Sequence, residues 1–397
     1  MNDPVIASRL RPFGTSIFAE ITQLALEHKA VNLSQGFPDF DGPGFLKEAA
    51  REAVARGHNQ YARTQGVPML NEAIAKWHAQ HGGRAVEPHA EITVTSGCTE
   101  ALAACCLGLL EPGDEVVVFE PFYDAYLPDL AMAGAVAKVV TLHAMGDGSF
   151  AFDGEELRKA FGVRTRAVLL NTPHNPTGKV FSREELGEIA ALCIEHGVIV
   201  IADEVYERLT FDPAKPHVSM ASLPGMAERT VTLSSLGKTF SVTGWKIGWA
   251  IGPPHLTAGV RAAHQFLTYA TSTPMQHAAA VALSGEEGRA YVEELVGVYA
   301  ARRRFLCDAL AGLGFGVIEP EGTYFVMADH RAISDRLGLA DDVELCRWLA
   351  AEAGVATIPP SVFYHNKAEG RRLLRFAFCK RQETLEEAVG RMERTLG

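Results

Sequence analysis

Apolar residues fall in two kinds of block along the chain. Short runs that are apolar throughout and bounded by polar or turn-forming residues occur at 91–95, 115–119, 166–171, 198–202, 230–234 and 247–251. Runs of that length and character are expected of strands buried on both faces. Helical patterns separate several of them. Residues 101–110 read as a buried helix and 182–196 as an amphipathic one: Ser182 can cap it, Glu185 sits three residues on as in a capping box, and Gly197 stops it. Strand and helix in alternation predict a mostly parallel α/β sheet.

The last third changes order. A long helical stretch at 286–313 precedes strand-like 323–327, a helix near 343–352, strand-like 373–378 and a final helix from Glu383. This is α+β order and predicts a second, smaller domain. The first 45 residues hold one helix, Ile17–Glu27, with Ile17, Ile21 and Leu24 on one face, able to pack on either domain. The division that follows is an N-terminal arm and part of the small domain at 1–45, a large domain at 46–284 and a small C-terminal domain at 285–397. The absence of a Pro/Ser-rich linker predicts an extensive shared interface.

Composition narrows the possibilities. The 397 residues are 47% apolar and 21% charged, which is ordinary globular usage. The longest apolar candidate, 101–110, is too short to span a bilayer, and Met1-Asn2-Asp3-Pro4 shows no secretory signal. A net charge of −11 argues against a nucleic-acid partner. The seven cysteines are odd in number and lack a C-x-x-C, as expected of reduced thiols in a cytoplasmic protein. His78 and His81 have no third ligand nearby, so no metal site is expected.

Sheets of this type bind ligands at the carboxyl ends of their strands. Four polar groups fall there: 171–178, ending Asn175-Pro-Thr-Gly178; Asp203-Glu-Val-Tyr206; Ser235-Leu-Gly-Lys238; and Thr95-Ser-Gly97-Cys98-Thr99-Glu100, whose small residues let backbone N–H groups approach an anion at a helix start. Gly237-Lys238-Thr239 lacks the earlier glycine of a phosphate-binding P-loop, since Thr232 stands there. Ser235-x-x-Lys238 lacks the companion S-D-N and K-T-G motifs of serine acyl-transfer enzymes. A lysine, an acid, a tyrosine, an asparagine and an anion cup remain, and pyridoxal 5′-phosphate uses all of them.

At this point the chain resembles the fold-type I pyridoxal-phosphate aminotransferases over nearly its whole length. The motifs are 32–40 (Asn-Leu-Ser-Gln-Gly-Phe-Pro-Asp-Phe), Asn59-Gln-Tyr61, Asn175-Pro-Thr-Gly178, Asp203-Glu-Val-Tyr206, Ser235-Leu-Gly-Lys238, Thr243-Gly-Trp-Lys246-Ile-Gly248 and Leu374-Arg375-Phe376. The phrases at 34–42 and at Gly322-Thr-Tyr-Phe325 are most similar to methionine and kynurenine (glutamine) aminotransferases. The resemblance implies a large domain with a mostly parallel seven-stranded sheet plus a smaller α+β domain. It also implies a homodimer with shared active sites, an amino-acid donor and a 2-oxo-acid acceptor.

It further implies that Lys238 condenses with the cofactor aldehyde and moves the substrate proton. Asp203 keeps the pyridine nitrogen protonated, and Tyr206 and Asn175 bond the phenolic oxygen. Gly97, Cys98, Thr99, Ser235 and Lys246 hold the phosphate, Tyr123 stacks on the ring, and Tyr61 reaches the phosphate from the other subunit. Arg375, with backbone at Gly36, takes the substrate carboxylate. The stretch 266–273 holds no arginine for a distal acid. Phe18, Tyr61, Tyr324 and Phe363 are candidate pocket walls, favouring a hydrophobic, sulfur-containing or aromatic donor. A cysteine-conjugate β-lyase would use the same Lys238 and Asp203. A cofactor-sensing regulator would need a helix-turn-helix module, for which the pattern leaves no room.

Overall fold

The computed structural model describes residues 5–14 and 17–397. Its centre is a seven-stranded sheet made of β1 (Ile92–Thr95), β2 (Glu115–Glu120), β3 (Val136–Thr141), β4 (Thr165–Asn171), β5 (Ile199–Asp203), β6 (Thr230–Ser235) and β7 (Gly248–Ile251). The spatial order is β1-β7-β6-β5-β4-β2-β3, and β7 alone runs antiparallel to its neighbours. Both faces are covered. One carries a core of Val117, Val168, Val200 and their neighbours, and the other Val116, Leu169, Ile201 and Leu233. Burial on both sides is why these strands are apolar without alternation. The edge strand β3 is the exception. Val136 is exposed and Ala137, Lys138 and Val139 only partly covered, so no uninterrupted apolar run marks it in the sequence.

Helix Arg183–His196 forms where expected. Ser182 and Glu185 exchange the two capping-box hydrogen bonds, and Gly197 ends the helix at φ 67°. The parallel register sets Asn171 beside Asp203, and β6 beside β5 brings Ser235 to the same sheet edge. Three polar strand ends therefore meet because adjacent strands lie only about 4.8 Å apart.

Beyond this sheet, Gly316–Ile318, Phe325–Asp329 and Leu373–Ala377 pair antiparallel. Helices Glu286–Gly312 and Gln382–Leu396 pack with them through Leu306, Leu310, Leu385 and Met392. Helix Ile17–Glu27 buries Ile21 and Ala25 in that same core, and Val31–Asn32 pairs with Val355–Ala356. The N-terminal helix therefore packs on the small sheet. Val205, Tyr206 and Leu209, which follow β5, also enter this core, so the turn after Asp203 ties the two units together.

Two C-terminal elements differ from the sequence pattern. The strand expected from 323 starts at Phe325, because Thr323 adopts φ 65° and its hydroxyl accepts from the Phe325 N–H at 3.2 Å. The helix near 343–352 is Asp342–Trp348 continued by a π-turn over Leu349–Ala353. Among the described residues no helix is long and apolar enough to cross a membrane.

Candidate active site

A cavity of about 370 Å3 opens at the carboxyl ends of β4, β5 and β6 and reaches the small sheet. Its lining includes Phe18, Gly36, Gly97, Cys98, Thr99, Tyr123, Asn175, Asp203, Tyr206, Ser235, Lys238, Lys246 and Arg375. Of the expected site residues only Tyr61 is not brought to it. Tyr61 is 86% exposed and meets the Tyr269 ring edge-on at 5.4 Å. Two expected pocket walls also take other places. Phe363 is buried behind Phe18, with ring centroids 5.8 Å apart. Tyr324 is buried beside Lys238 and does not line the cavity.

Asp203 ends β5 and is 7% exposed. Burial raises its pKa; the hydrogen bonds that favour its charged form oppose this. Tyr126 Oη donates to Oδ2 at 2.7 Å, the Val205 N–H donates to Oδ1 at 3.2 Å, and the Cys98 thiol donates to Oδ1 at 3.5 Å. Asn171 Nδ2 donates to the Asp203 carbonyl at 2.8 Å, and Asn171 Oδ1 accepts from the Asn175 N–H at 2.7 Å. Asn175 is thereby fixed, with its own Oδ1 accepting from Arg375 Nη1 at 3.1 Å.

Lys238 Nζ donates to Tyr324 Oη at 2.8 Å and to the Gly36 carbonyl at 3.0 Å. Burial, which disfavours the ammonium, brings its pKa down to about 8. That places the amine where it can act as a base near neutrality.

The anion cup is built on the start of helix Gly97–Leu109. Gly97 has φ 76°, and Lys246, at φ 53°, reaches Thr99 Oγ1 at 3.5 Å. Gly248 lies against the Gly97 backbone: a Cβ there would sit 2.4 Å from the Gly97 carbonyl carbon and 2.6 Å from the Cys98 nitrogen. Gly248→Ala must therefore displace the cup, and overpacking of this kind costs about 1–3 kcal/mol. The expected result is weaker cofactor binding, by about tenfold or more, in an absorbance titration; an unchanged affinity would show that the close approach does not matter.

Arg375 is 1% exposed. Its hydrogen bonds go to neutral oxygens, Asn175 Oδ1 and the Ser34 carbonyl at 2.8 Å, and Nε has no partner. Aromatic rings surround it: Phe325 at 4.2 Å, Phe18 at 5.3 Å and Phe363 at 5.4 Å. Burial lowers its pKa to about 10. Among the described residues no carboxylate pairs with it, so the salt bridge that would give it a purely structural role is missing. A buried guanidinium in this state is costly unless an anion arrives from outside.

Sequence reasoning missed Tyr126 and gave no role to the lining residues Gln35, Phe37, Asp124, Thr243 and Phe325, and it named Asn171 only as the polar end of its strand. Three groups suit one cofactor: a buried carboxylate held by donors, a lysine amine of lowered pKa, and a cup with no room for a Cβ. The residues fit pyridoxal 5′-phosphate, and the fold and site define a fold-type I enzyme of that cofactor. The model of the family "Aminotransferase class I and II" matches residues 28–392. The chain belongs to that family, and it is an aminotransferase. It is 48% identical to the probable N-succinyldiaminopimelate aminotransferase of Mycobacterium tuberculosis, covering 97% of each chain. To the methionine aminotransferase of Escherichia coli it is 41% identical, over 98% of this chain and 99% of the other. A solved structure titled as the N-succinyldiaminopimelate aminotransferase of Mycobacterium tuberculosis superposes with a TM-score of 0.94 at 48% identity, covering 99% of this chain and 100% of that one.

Proposed function

We propose that the enzyme moves the amino group of a hydrophobic, sulfur-containing or aromatic amino acid, of the methionine, kynurenine, glutamine and Phe/Tyr class, to a 2-oxo acid. The observation that carries this reading is the charge balance of the cavity. Among the lining residues Arg375 is the one arginine, the Phe18 ring lies 5.3 Å from its guanidinium, and Phe37 lines the same cavity. One guanidinium serves the α-carboxylate, and among the described residues no second arginine lines the cavity for a distal acid.

When bound, pyridoxal phosphate supplies an aldehyde for imine exchange and a ring that withdraws electrons. Gly97, Cys98, Thr99, Ser235 and Lys246 would hold its phosphate, Tyr123 its ring face, Asn175 and Tyr206 its phenolic oxygen, and Asp203 its ring nitrogen. Neutral Lys238 would take the proton from the substrate Cα and deliver it to the carbon that was the cofactor's aldehyde, so that the donor leaves as its 2-oxo acid. Arg375, braced by Asn175, sets the α-carboxylate so that the Cα–H bond meets that amine. The exposed Tyr61 and Phe266, each 86% exposed, support a homodimer in which Tyr61 completes the site of a second copy. The seven unpaired cysteines support a cytoplasmic setting.

The 48% identity to a probable N-succinyldiaminopimelate aminotransferase favours a second reading, a longer acylated donor. A matrix of purified enzyme with methionine, kynurenine, glutamine, phenylalanine, aspartate and N-succinyldiaminopimelate against 2-oxoglutarate and pyruvate separates the two. A strong preference for the succinylated donor or for aspartate overturns the proposal. Pyruvate released from a cysteine conjugate without any acceptor would mark β-lyase chemistry.

A further inference from the structure

Lys238 has to do two things in transamination: it gives up its link to the cofactor, and it then aims a lone pair at the substrate Cα. The second needs an amine held in one orientation. Its surroundings supply that. Nζ donates one N–H to the Gly36 carbonyl at 3.0 Å and another to Tyr324 Oη at 2.8 Å. The Tyr324 hydroxyl lies 2.5 Å from the same Gly36 carbonyl and donates to it; Tyr206 is a second hydrogen-bond partner of this hydroxyl, and with either acceptor its one proton is used away from the lysine. It can therefore only accept from the lysine. Cε and two fixed N–H bonds use three of the four directions of an sp3 nitrogen, so the fourth is set by geometry. Lys238 lines the cavity while Tyr324 does not.

Tyr324 is itself firmly placed. It is 1% exposed, with its ring edge-on to Tyr206 at 5.3 Å and Tyr299 at 5.9 Å. It precedes the strand Phe325–Asp329, on the residue after the φ 65° turn at Thr323. Burial holds the phenol well above its ordinary pKa, so it stays protonated and is not a competing base.

We infer that Tyr324 is a positioning residue for the Lys238 amine, its hydroxyl and the Gly36 carbonyl together directing the lone pair into the cavity for proton transfer. The inference rests on the aminotransferase reading of Lys238. The Gly36 carbonyl thus accepts from both Lys238 and Tyr324, and the Gly36 N–H is its backbone group able to donate to a substrate carboxylate.

The test is Tyr324→Phe, which removes one oxygen and keeps the ring. The other groups acting on the Lys238 amine, namely Cys379, Asp203, Arg375 and Cys98, stay in place, while Tyr206 loses its hydrogen bond with Tyr324, so the lysine-specific labelling below is the readout that separates the two effects. Expected is a fall in kcat of about tenfold or more with the amino donor's KM within about twofold. A second readout uses the cofactor-free protein. The pH dependence of Lys238 labelling by an amine-selective reagent, followed by mass spectrometry, should shift to lower pH, because an acceptor that favours the ammonium is gone. Unchanged kcat, or an unchanged labelling profile, overturns the positioning role. Borohydride fixation of the cofactor on Lys238 should persist in Tyr324→Phe. If the wild-type protein fails that fixation, it is the reading of Lys238 that falls.

Discussion

Lys238→Ala is expected to lower kcat by about 10⁴-fold or more, since in the proposed mechanism one residue supplies both the covalent partner and the proton-transfer group. Borohydride should no longer fix the cofactor to the chain, and the absorbance of the lysine-linked form should vanish. The cofactor should still bind, because the cup at Gly97, Ser235 and Lys246 and the carboxylate of Asp203 are untouched. The fold should survive as well. Burial depresses the Lys238 pKa to about 8 from its ordinary 10.5, so its charged form is a cost to the native state. The sign of that linkage is definite: the native state binds fewer protons than the unfolded one between about pH 8 and 10.5, so wild-type stability gains from this group as pH rises through that window. The variant loses that rise, and its melting temperature near pH 7 should be no lower than the wild type's. In the wild type the proton-transfer step should quicken as pH rises toward 8. Near-normal transamination by Lys238→Ala would remove the central role given to this residue.

Arg375→Met tests the other charged anchor. A guanidinium makes two charge-assisted hydrogen bonds to a carboxylate, each worth about 1.5–3 kcal/mol, so kcat/KM for the amino donor should fall by about 100-fold or more. Stability should move the opposite way. Arg375 is buried among Phe325, Phe18 and Phe363 with Nε unpartnered, and replacing a buried unpaired cation by an apolar chain of similar length relieves desolvation. The variant without substrate should therefore melt at or above the wild-type temperature, while the added stability that a carboxylate ligand gives the wild type should be absent. A variant that is less stable and yet binds its donor normally would show that Arg375 is a structural cation and not a substrate clamp.

Much of the site was readable because the chemistry sits where local structure puts it. Strands buried on both faces leave few excuses for polar residues at their carboxyl ends, and Asn171, Asp203 and Ser235 occur at the ends of β4, β5 and β6. The capping box at Ser182 and Glu185 and the stop at Gly197 were equally local. The edge strand β3 was not readable, since it is only half covered. Tyr324 and Phe363 drew attention as aromatics, but their positions against the cavity depend on which way the small sheet faces.

The sequence by itself pointed to the alternating strands and helices and to the lysine, aspartate, asparagine and anion-cup residues, while Arg375 was reached only through the family resemblance. The former are set by hydrophobic period, turn chemistry and motif order, all of which act over a few residues. Only the tertiary structure decided who holds whom. Tyr126 reaches Asp203 across 77 positions of sequence, Cys98 across 105, and Lys238 finds Tyr324 across 86 and Gly36 across 202. The first two follow from how helices Gly97–Leu109 and Tyr126–Ala133 pack on the large sheet and the last two from how the small sheet faces it, and no short-range pattern in the chain encodes that packing.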